Sequence, residues 1–167
     1  VNYNSGTFYF VIDNDDNHII GGPQAGATNV ISGNNSFAVI PDHTNNLIIQ
    51  GNIIGPDWKG DPIPGSPQTG GIGAIPFASD ITNLLIGGVN VGESNHIAYN
   101  KGPAVLVATL SFGANPEHMS TNVSILGNSI HDNDTGVYPL SAASGGIGID
   151  LMSVDMTTFT PFNGGPT

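Results

Sequence analysis

Residues 55–71, GPDWKGDPIPGSPQTGG, hold the only tryptophan of the chain, Trp58, between Asp57 and Lys59, with Asp61 close behind. An apolar ring flanked by polar groups can hold a sugar by stacking and hydrogen bonding. Asp57, Trp58, Lys59 and Asp61 are therefore a candidate carbohydrate site, and Lys101, which opens the corresponding loop later in the chain, is expected nearby. The competing expectation is a Pro/Gly loop whose Trp58 packs down as an anchor.

The stretch VIDNDDNH (11–18) gathers Asp13, Asp15 and Asp16. Several carboxylate oxygens in one turn suit calcium. Asp42, Asp80 and Glu117 fall in the corresponding later turns, so carboxylates are expected along one edge. The spacing lacks the EF-hand pattern, and a solvated acidic turn is the simpler expectation. Nothing else in the sequence requires a cofactor. His96 and His131 are expected on outward positions of adjacent strands, offset by two residues and so roughly 8 Å apart. At that distance they read as separate exposed polar groups, and His18, His43 and His118 show no ligand spacing.

These residues need a scaffold, and the sequence shows a repeated one. NHIIGGPQAGATNVISGN (17–34) and NLLIGGVNVGESNHIAYN (83–100) align without a gap, and NLIIQGNIIG (46–55) aligns with NVSILGNSIH (122–131). Together they give a template. Asn17, Asn46, Asn83 and Asn122 lead to Ile20, Ile49, Ile86 and Ile125 and then to Gly22, Gly51, Gly88 and Gly127. Asn29, Asn52, Asn95 and Asn128 lead to Ile31, Ile54, Ile97 and Ile130 and then to Asn34, Asp57, Asn100 and Asn133. A third apolar run follows each copy: FAVI (37–40), GIGAI (71–75), AVLV (104–107) and GIGI (146–149).

No segment has useful helical periodicity, and the turns lack two-residue hairpin spacing. Short strands of this kind are stable when each pairs in parallel with its equivalent one repeat later, about 4.8 Å away. Equivalent Ile side chains then stack into an inner column, each contributing roughly 1.5–3 kcal/mol on burial. The Asn residues tolerate left-handed turns and can form amide ladders. The expected fold is all-β: a right-handed parallel β-helix of about five coils with three short strands per coil. It makes one domain over 1–167, with coils over about 6–151 and an extended tail over 152–167.

The motifs N-x-I-x-G, NVISGN, G-N-x-I and GGIGIDL resemble the right-handed parallel β-helix repeats of the pectin-lyase-like superfamily. They are closest in style to the IGG…NVISGN repeats of large bacterial secreted and surface proteins. That resemblance implies an extracellular or cell-surface setting, with roles ranging from polysaccharide lyase or hydrolase to adhesin or scaffold. The lyases of the superfamily resemble one another in a basic catalytic residue and cations that bind the uronate. Here there is no arginine, and Lys59 and Lys101 lie in separate loops. The hydrolase signatures Asn-Thr-Asp, Asp-Asp and Gly-His-Gly are not found in their arrangement. Asp15-Asp16 is the one Asp-Asp pair, and no second carboxylate group stands out for glycoside chemistry. A non-catalytic structural or adhesive role is the expectation, with a carbohydrate-binding or carbohydrate-active domain using the loop around Trp58 as the alternative.

Composition narrows the partners further. A net charge of −11 with two cationic side chains cannot neutralise a phosphate backbone, which argues against nucleic acid. No apolar run reaches the roughly 18 residues of a membrane span. A chain starting at Val1 is expected to be a processed product or an excerpt of a longer solenoid. Ile19, Ile48 and Leu85, each preceding a column Ile, are expected to form an outward apolar stripe. The expected partners are copies of the chain or neighbouring coils, meeting through that stripe or the open coil ends. A polysaccharide is the alternative.

Overall fold

A computed structural model describes residues 10–12, 15–66, 68–77, 79–111, 117–133, 148–155 and 160–162. Among them there is no helix, and the strands recur in passes of four. The first pass holds β1 (Phe10–Ile12), β2 (Asp15–Asp16), β3 (Ile19–Gly21) and β4 (Val30–Ile31). The second holds β5 (Phe37–Pro41), β6 (Thr44–Asn45), β7 (Ile48–Gln50) and β8 (Ile53–Ile54). The third holds β9 (Gly70–Ala74), β10 (Ile81–Thr82), β11 (Leu85–Gly87) and β12 (His96–Ala98). The fourth holds β13 (Val105–Ser111), β14 (Ser120–Thr121), β15 (Ser124–Leu126) and β16 (Ser129–His131). The strands β17 (Ile149–Asp155) and β18 (Thr160–Phe162) follow.

Equivalent strands of successive passes pair in parallel and build four sheets, so each pass carries four strands where three were expected. The additional strand is the two-residue segment just before the left-handed Asn. It was missed because Asp15-Asp16, Thr44-Asn45, Ile81-Thr82 and Ser120-Thr121 share no apolar signature. Register follows the template. Ile20, Ile49, Ile86 and Ile125 are aligned, as are Ile31, Ile54, Ile97 and Ile130. The middle members Ile49, Ile54, Ile86 and Ile97 are completely buried, with Val39, Ile72 and Val105 completing the inner core.

Asn17, Asn46, Asn83 and Asn122 all adopt positive φ, between 52° and 63°, the left-handed turn that Asn tolerates better than most residues. Their side chains make an outer ladder with one irregularity: Asn83 donates to Asn45 rather than to Asn46. The second ladder is regular and mostly internal. Asn29, Asn52 and Asn95 each donate through Nδ2 to the Oδ1 of the next Asn, at 3.0, 3.1 and 2.9 Å, ending on Asn128. A third ladder joins Asn34, Gln68, Asn100 and Asn133. Gln68 thus occupies the place assigned to Asp57 by the template. The loop between β8 and β9 pushes Asp57 out of register and returns to the ladder only at Gln68.

The first sheet is buried on both faces in its middle. A second core of Phe37, Ile40, Ile75, Leu106, Ala108 and Leu110 covers its outer side. Gly70 and Gly73 of GGIGA serve that packing: a Cβ on Gly70 would lie 2.3 Å from the Phe37 ring. At its last edge the sheet changes direction, because β18 runs antiparallel to β17. Within the segment expected as an extended tail over 152–167, residues 152–155 and 160–162 are strands.

Candidate functional site

The loop between β8 and β9 is tied at its start by Asp57. The Asp57 carboxylate accepts the backbone N–H groups of Lys59 at 2.8 Å and Asp61 at 3.0 Å, and the Asp57 carbonyl accepts from Gly60 at 3.0 Å. The bond from Asp61 is the main reason the Asp57 carboxyl is held below its ordinary value. Trp58 stands 66% exposed at this apex, so it is not an anchor packed on the wall. Lys59 Nζ lies 5.3 Å from the centre of its ring, within cation–π range.

The same loop passes over the sheet formed by β4, β8, β12 and β16. Gly60 lies against His96: a Cβ there would come within 3.3 Å of the imidazole Cε1. Farther along, the loop walls a groove of about 490 Å³ with Pro62 and Ile63 on one side and Tyr99, Lys101 and Asp132 on the other. Lys101 lines this groove. Asp57, Trp58, Lys59 and Asp61 are not among its walls, so the expected five-residue cluster divides into a loop apex and a groove.

Two groove residues carry unusual backbones. Tyr99 and Asp132 have φ of 57° and 49°, at the corner where the first pass has Gly33 with φ 76°. Bulky side chains rarely adopt this conformation, and such outliers cluster at functional sites. Beside them, His96 and His131 are brought together against expectation. The register does offset them by two residues, since His96 pairs with Ser129 and His131 with Ala98. Their Nε2 atoms are nevertheless 2.9 Å apart, with rings stacked at 4.9 Å. The spacing argument failed because it measured backbone separation, whereas long side chains on diagonal neighbours can lean toward each other.

Burial, and next the neighbouring His131, keep the His96 imidazole below its ordinary value. His131 Nδ1 is 2.8 Å from the Asp132 carboxylate, and Tyr99 meets the His131 ring edge-on at 5.8 Å.

The remaining expected residues fall elsewhere. Asp13 lies outside the described residues, while Asp15 and Asp16 form β2, with Asp16 exposed. Among the described residues no group of three or more His, Cys, Asp or Glu is arranged to hold a metal. Of the carboxylates in the corresponding turns, Asp42 is buried, while Asp80 and Glu117 are exposed and Asp80 accepts the Met119 N–H at 2.8 Å. Ile19, Ile48 and Leu85 do align in one outward column with Ser124. Ile19 is 63% exposed, and Ile48 and Leu85 are half-buried.

Ile19 also lines a recess of about 440 Å³ at the first-pass edge, with Ile20, Val30, Ile31, Ala38 and Val39. Comparison with known proteins finds no matching family model, no matching curated protein and no matching solved structure.

Proposed function

We propose that the chain is a right-handed parallel β-helix of the pectin-lyase-like type that acts as a non-catalytic extracellular scaffold, joining a neighbouring copy through its first-pass edge. The observation that carries this reading is the state of the inner columns there. Ile20 and Ile31 are only partly buried, whereas their equivalents in the two middle passes are fully buried. They open into the apolar recess beside exposed Ile19 and Val30. Among the described residues nothing pairs with the outer edges of β1, β2, β3 and β4, and open strand edges promote association with another edge. At the far end antiparallel β18 interrupts the parallel stacking of the first sheet alone; the dimer follows instead from pairing two first-pass edges head to head, an isologous contact that closes on itself.

The test replaces Ile19 and Val30 with Glu, singly and together, and measures mass by light scattering. Association is expected in the parent and lost in the double variant, with circular dichroism unchanged. A double variant that associates as the parent does would overturn the reading.

A second reading, carbohydrate binding, rests on the groove and on the exposed ring of Trp58. Tyr99, Lys101 and Asp132 supply a ring, a cation and a carboxylate on one wall. On a glycan array, Trp58→Ala and Tyr99→Ala should each reduce binding at least tenfold. Absence of any glycan binding by the parent would eliminate this reading.

A further inference from the structure

His96 and His131 come from β12 and β16, and each ring is held from the side. Gly60 closes over His96, while Asp132 and Tyr99 flank His131. A carboxylate can only accept, so His131 Nδ1 carries the proton shared with Asp132, and its Nε2 presents a lone pair. His96 Nε2–H fills that lone pair across 2.9 Å. If the His96 proton moves from Nε2 to Nδ1, both Nε2 atoms become donors to a cation without net loss of a proton.

The distance set by that hydrogen bond is compatible with one metal geometry. Two metal–nitrogen bonds of about 2.0–2.1 Å meeting at a right angle separate the nitrogens by about 2.9 Å, whereas a tetrahedral angle needs about 3.3 Å. The observed 2.9 Å separation fits neighbouring positions of a tetragonal ion. Tetragonal sites with nitrogen and oxygen donors suit copper(II) or nickel(II), and copper(II) stands highest in the affinity order.

We propose that His96 and His131 form a two-imidazole binding site for a tetragonal divalent transition-metal ion, copper(II) by that order, with water filling the remaining positions. Asp132 is a positioning residue: its hydrogen bond keeps the His131 proton on Nδ1 and leaves Nε2 free, as carboxylates behind metal-bound histidines do.

The experiment uses tag-free protein stripped with a chelator, titrated with copper(II) and followed by calorimetry and electron paramagnetic resonance. One equivalent with hyperfine coupling to two imidazole nitrogens is expected. His96→Gln or His131→Gln should weaken binding at least tenfold and remove one nitrogen, with circular dichroism confirming that each variant is folded. The triple variant His18→Ala, His43→Ala, His118→Ala should keep the parent spectrum. Asp132→Asn tolerates the left-handed backbone, and should weaken binding roughly tenfold while keeping the two-nitrogen signature. Binding and spectrum that survive both Gln substitutions, or that vanish in the triple variant, would overturn the site. Parent affinity in Asp132→Asn would overturn the positioning role.

Discussion

At the scale of single residues, Asp57 shows how one carboxylate organises a loop. Its two backbone hydrogen bonds favour the ionised form, and its pKa is accordingly lowered from 3.8. A group with a depressed folded-state pKa adds stability that is present above the unfolded value and lost as pH falls through the folded one. The apex around Trp58 should therefore stay closed at pH 4 and open only below the ordinary carboxylate value. Hydrogen exchange at the Asp61 amide, with Trp58 fluorescence in parallel, checks this. The expected midpoint lies below 3.8, and a midpoint above it would contradict the Asp57 bonds. In Asp57→Ala the Asp61 amide should exchange rapidly at every pH. The identity of Asp57 as a polar loop residue was legible in the sequence. Its exclusion from the third ladder was not, because a strict-spacing template cannot anticipate where a fourteen-residue loop, 55–68, rejoins the repeat at Gln68.

At the scale of elements, the two Asn series look alike in sequence and differ in energetic weight. Asn95 is fully buried; its Oδ1 accepts the Asn52 N–H at 3.0 Å, and its Nδ2 donates to the Ile49 carbonyl at 2.8 Å. Removing the side chain strands the buried Asn52 N–H, a loss of about 1–3 kcal/mol before any cavity is counted. Asn83 belongs to the exposed ladder with φ 54°. Chemical denaturation should show Asn95→Ala destabilised by about 2–3 kcal/mol. Asn83→Gly should stay within about 0.5 kcal/mol, since water replaces the bonds and Gly accepts the backbone. Equal losses would show that the ladders are not distinguished by burial.

The Ile and Asn columns were legible because identical residue types occupy identical register positions. Three things were not. The second core around Phe37 uses the outward side of the third apolar runs, and a template built on one inner column leaves that side unassigned. The four-strand pass depends on two-residue strands without a pattern. The His96–His131 contact depends on rotamers rather than on spacing.

At the scale of the whole molecule, the columns carry an asymmetry. The middle passes bury them fully, the first pass leaves them half-open, and the fourth pass has Ile125 and Ile130 partly buried. In a repeat architecture each unit completes its neighbour's core, so an edge unit is stabilised by whatever stacks on it. The proposed scaffold role depends on that edge meeting a second copy. Sedimentation velocity over a hundredfold range of concentration tests it most directly. The account expects a reversible shift from monomer to a dimer that does not grow further, with the shift abolished by Ile19→Glu combined with Val30→Glu. A folded chain that remains strictly monomeric across the range would contradict it.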